Sequence, residues 1–139
     1  MEELASSGSH SERHLKSLRT SNPSTPGVRW AIIIGISKYK DSRLHLKYAH
    51  RDAEEFYNVI TKPSGGGFEK EHICKLINEE ATRDNINKAL CSFLKKPAED
   101  DLVLIYFACH GSYDVDRPHN VYLFLMTQTL MTYLVLLYQ

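Results

Sequence analysis

Trp30-Ala31-Ile32-Ile33-Ile34-Gly35-Ile36 and Leu102-Val103-Leu104-Ile105-Tyr106-Phe107-Ala108 are uninterrupted apolar runs rich in β-branched residues. A strand with one wet face alternates apolar and polar residues, so runs of this kind predict strands buried on both faces. Between them, Ala49, Ala53, Phe56, Tyr57 and Ile60 recur at helical spacing and predict a helix over 48–60. Pro63 and Gly65-Gly66-Gly67 stop it. His72 to Ile77 reads as a short strand. Thr82 is placed to cap a second helix, with Ile86, Ala89, Leu90, Phe93 and Leu94 on one face and Pro97 beyond its end.

Strand, helix, strand, helix, strand is the order of an α/β fold, a mostly parallel sheet with helices on both faces. Reactive groups in such sheets gather past the carboxyl ends of the strands. Two segments meet that condition, Ser37 to Leu46 and Cys109 to Asn120. The second opens on Cys109-His110-Gly111. A histidine there titrates near neutrality and suits proton transfer. Gly111 admits close approach of a substrate, and its N–H can face a developing oxyanion.

With 139 residues there is room for one domain. Seventeen basic and seventeen acidic residues cancel, so no broad field points to nucleic acid or an anionic membrane. Cys74, Cys91 and Cys109 are odd in number and far apart, which suits a reducing compartment. No apolar signal core precedes Val28, and an intracellular, cytoplasmic protein is expected. Residues 1–27, rich in Ser, Thr, His and charge, read as a disordered arm. Gly35 and the triple glycine give neither a phosphate loop nor a dinucleotide fingerprint.

Three ordered blocks carry a resemblance: Arg29 to Tyr39, Leu46-Lys47-Tyr48-Ala49-His50-Arg51-Asp52-Ala53, and Leu104 to Gly111. In register, they resemble the large-subunit region of caspases, metacaspases and bacterial caspase-like cysteine peptidases over about 28–124. The resemblance implies a caspase-type sheet and a Cys–His dyad that cleaves peptide bonds through an acyl-enzyme. It implies His110 as the catalytic histidine and the Gly111 N–H as an oxyanion donor. It places Asp52 where metacaspases carry an acidic substrate-binding residue, and a carboxylate there attracts Arg or Lys. Asp52 would also complement the positive end of its own helix. The arginine with which caspases hold aspartate has Leu46 at its position, with Arg43 out of register. Where metacaspases often have Cys and Asn, this chain has Ala49 and Arg51.

No cysteine in the chain reads as the nucleophile. Cys74 and Cys91 fall on a strand and a helix as small apolar residues. Cys109 neighbours His110, but adjacent strand residues point to opposite faces. The family's nucleophile follows a later strand, about 50 residues past the histidine, so the domain reads as incomplete at its C-terminal side. The chain is expected to be inactive alone.

Val121 to Phe124 looks like the next family strand. Residues 125–139 then read as an aberrant apolar tail. Each Met-Thr pair, at Met126 and Met131, forces Asp one base earlier, so a frameshift would turn the tail into an acidic loop; the transcript would test this. The uncharged stretch approaches a bilayer span, but its threonines and the lack of a basic flank weigh against a membrane anchor. No cofactor or metal is expected. Calcium serves some metacaspases, but Asp114 and Asp116 are too few for a site. Expected partners are peptide or protein substrates of the complete enzyme, or another caspase-like chain. The alternative is a non-catalytic caspase-like scaffold or regulatory module.

Overall fold

The computed structural model describes residues 27–117, 121–125 and 133–136. The arm expected over 1–27 therefore lies outside the described residues except for Gly27, as does most of the tail over 125–139.

Strand β1, Arg29–Gly35, is the centre of the molecule. Ile32, Ile33 and Ile34 have no solvent exposure, each burial contributing about 2 kcal/mol. Alternation along β1 divides the core. Ala31 and Ile33 pack with Ala53, Ile60 and Phe68, whereas Ile32, Ile34 and Ile36 pack with Ile86 and Ala89. Helix α1, Ala49–Ile60, covers the first face, and helix α2, Arg83–Cys91, the second. Thr82 caps α2, its Oγ1 accepting the Asn85 N–H at 3.2 Å.

Strands β2, Ile73–Ile77, and β3, Leu102–Ala108, flank β1 in the order β2-β1-β3, both parallel to it. This is the expected parallel sheet with a helix on each face. Asp101 ties its lower end together by accepting the Val28 N–H and the Trp30 Nε1–H, both at 2.8 Å. At the upper end α1 crosses very close to β1. A Cβ on Gly35 would lie 2.5 Å from the Ala53 Cβ and 3.0 Å from the Ala49 carbonyl oxygen.

β3 departs from expectation. Leu102, Val103 and Ile105 are 54, 40 and 43 % exposed, so this apolar run is not buried on both faces. β3 is an edge strand, and among the described residues nothing pairs with its outer side.

A second, antiparallel sheet of order β4-β5-β6 comprises Gly111–Tyr113, Val121–Phe124 and Tyr133–Leu136. β5 is the strand expected before the tail, and β6 lies within the tail. Leu123 and Leu125 are buried in the cluster on the α2 side. No described helix is long and apolar enough to cross a membrane.

Candidate active site

His110 stands between the end of β3 and the start of β4, where the two sheets meet. Two groups of the loop after β1 hold it. Its backbone N–H donates to the Tyr39 hydroxyl at 2.9 Å, and its Nε2 lies 2.9 Å from the Leu44 carbonyl oxygen. A carbonyl only accepts, so Nε2 carries the proton and Nδ1 of the neutral ring keeps its lone pair. The Tyr39 ring lies against the imidazole at 5.2 Å between centroids, and Phe124 meets it edge-on at 6.3 Å. Tyr39 is itself buried. Burial pushes its phenol up to about 12, partly opposed by the bond from His110, so the hydroxyl remains neutral.

The loop is fixed from below. The Leu46 N–H donates to the Ser37 carbonyl at 2.8 Å. Buried Ser37 presents its Oγ to the His50 N–H at 2.9 Å and to the His50 Nδ1 at 2.8 Å. Asn78, at a φ of +46°, accepts the N–H groups of Ser37 and Lys38 through its side-chain oxygen. His45 Nε2 meets the Tyr39 carbonyl at 3.0 Å. His45 and His50 thus brace the loop that holds His110.

Gly111 opens β4 opposite Leu123. The Phe124 N–H donates to the His110 carbonyl, so Gly111 and Leu123 form a non-hydrogen-bonded pair. The Gly111 N–H therefore points away from β5. A Cβ there would meet only ordinary contacts, the nearest at 3.5 Å.

Asp52 is exposed on the first turn of α1, and its charge adds to the burial that pushes the Tyr106 phenol up. Among the described residues no hydrogen bond or ion pair joins Asp52 to His110. Arg43 is occupied by Asp41, whose carboxylate it grips with Nε and Nη2 at 2.7 to 3.1 Å and holds down to about 2.

None of the three thiols hydrogen-bonds to the imidazole. Cys109 packs into the apolar cluster on the α2 side, and burial pushes its thiol up to about 11. Burial, reinforced by Glu80, also raises Cys74, whereas Cys91 is exposed on α2. Both half-buried thiols are thereby moved away from the thiolate that attacks carbonyls.

A family model described as the caspase domain matches residues 28–133. The chain belongs to the caspase-domain family. No curated protein matches it. The family is one of cysteine peptidases with an α/β fold, in agreement with the sheet and helices above. Among the described residues no three His, Cys, Asp or Glu side chains gather as metal ligands. Asp114 is used internally, accepting the Asp116 and Arg117 N–H groups and, at 2.6 Å, the Tyr122 hydroxyl. The sequence singles out His110 and Gly111 but not Tyr39 or Leu44 as the groups that hold His110. Tyr39 lay inside a block resembling the family, and a backbone carbonyl leaves no mark on residue type.

Proposed function

We propose that the chain carries the base half of a cysteine endopeptidase site, in which His110 serves a thiol other than Cys74, Cys91 and Cys109. The observation that carries this reading is the pairing of His110 Nε2 with the Leu44 carbonyl. It leaves Nδ1 as the proton acceptor while no resident thiol reaches the ring. In the complete site Nδ1 takes the thiol proton, and the thiolate adds to the scissile carbonyl. The Gly111 N–H stabilises the resulting oxyanion. As the C–N bond breaks, the imidazolium returns its proton to the leaving amine. Water, deprotonated by the same nitrogen, then hydrolyses the thioester.

Asp52 supports a preference for Arg or Lys before the scissile bond, because it is exposed while Arg43 is neutralised by Asp41. A cytoplasmic setting fits three free thiols. The chain alone is inactive on this reading. Fluorogenic peptides ending in Arg, Lys or Asp should give no turnover with the purified chain, and turnover abolished by His110→Ala would overturn the reading. An Arg-ended peptide should perturb the Asp52 amide, an effect lost in Asp52→Asn. Stronger perturbation by an Asp-ended peptide would overturn the specificity.

A second reading, a non-catalytic module that pairs with another caspase-like chain, is favoured by the open edge of β3 and by Val103 and Ile105, which that edge strand leaves exposed.

A further inference from the structure

The sheet has a second open edge, at β2. β1 occupies one side of β2, and among the described residues no strand pairs with the other. The Ile77 N–H points out of the β1 ladder to a Glu80 carboxylate oxygen at 3.4 Å. Backbone groups alternate sides along a strand, so those of Lys75 and Ile73 face the same open edge. Beside it, between β2 and α2, runs a groove of about 360 Å³. Its apolar floor is made by Cys74, Leu76, Ala89 and Phe93, and Lys88 and Lys96 stand over it. The Lys96 ammonium lies 5.3 Å from the Phe93 ring centre, and its charge also reaches Cys74, where it opposes the upward push of burial and Glu80.

We propose that the open edge of β2 and this lysine-flanked groove dock an extended peptide segment of a partner protein that carries apolar and acidic residues on one and the same face. Its backbone would add to β2 as a further strand, and every second side chain would face the groove, apolar over Cys74 and Leu76 and acidic beside Lys88 and Lys96. Charge selects this occupant. The chain's own residues 1–26 hold three acidic and three basic residues and offer no surplus of negative charge. A second copy would bring Lys88 and Lys96 against their own equivalents. Glu80 closes the Ile77 end of the edge, confining the added strand to the half near Cys74. The surface is separate from His110 and does not rest on the peptidase reading.

The test is a titration of the full chain with a short synthetic peptide in which Glu, Leu and Glu take alternate positions separated by Thr, followed by amide NMR. Saturable shifts should fall on Ile73 to Ile77 and α2 and weaken with salt. The exposed double charge reversal K88E/K96E should lower affinity at least about tenfold. A peptide with Lys in place of Glu, which needs no variant protein, should not bind. Absence of saturable binding would overturn the proposal, as would shifts confined to β3 or to His110 to Tyr113. So would an affinity indifferent to charge reversal, or concentration-dependent shifts on β2 without peptide, the mark of a second copy.

Discussion

The Tyr39 hydroxyl accepts the backbone N–H of His110 at 2.9 Å across 71 residues of chain, joining the loop after β1 to the end of β3. The same loop supplies the Leu44 carbonyl to the imidazole. One short segment thus sets both the position of the His110 backbone and the tautomer of its ring.

Tyr39→Phe keeps the ring contact and removes the acceptor. The His110 N–H is then left part-buried without its partner, at a cost of about 1 to 3 kcal/mol. Chemical denaturation should show that loss, and hydrogen exchange should show the His110 amide opening faster. Unchanged exchange would mean that the bond does not form in solution.

The thiols should react in a set order. Exposed Cys91 should be alkylated first at neutral pH. Cys109, pushed from 9.0 to about 11, has about a hundredfold less thiolate and should lag accordingly. Peptide mapping after timed iodoacetamide treatment reads the order directly.

How far these features were legible follows from what each residue interacts with. The Trp30 to Ile36 run, α1 and α2 match their reading because their burial follows the local pattern of apolar residues. β3 was misjudged because an apolar run reports what a strand can bury, while cover for Val103 and Ile105 depends on elements distant in sequence. His110 was found as a strand-end residue. The bonds of His45 to Tyr39 and of His50 to Ser37 span an irregular loop, where no repeat announces a partner.

Two glycines should respond oppositely to alanine. Gly35→Ala forces a methyl into the α1 backbone and Ala53, costing about 1 to 3 kcal/mol. Gly111→Ala meets only ordinary contacts and should change stability by no more than about 0.5 kcal/mol. Thermal melts of the two variants separate packing from chemistry at these positions.

Acid should loosen the lower end of the sheet. Asp101 is held below its ordinary value chiefly by the Ala98 N–H, then by the Trp30 indole and the Val28 N–H. A depressed folded value means that its stabilisation is complete above the unfolded carboxylate range and fades as pH falls through the folded one. Urea midpoints followed downward from neutral pH should drop in that acid window, and the drop should shrink in Asp101→Asn. Equal pH dependence in both proteins would remove Asp101 from the account.

The tautomer of His110 bears most directly on the proposed chemistry. Long-range proton–nitrogen NMR of the neutral ring should find the proton on Nε2 and a bare lone pair on Nδ1, unchanged when Cys74, Cys91 and Cys109 are all replaced by Ala. A proton resident on Nδ1, or a ring whose signals shift when a thiol is removed, would contradict the claim that His110 is an oriented base with no resident thiol as its partner.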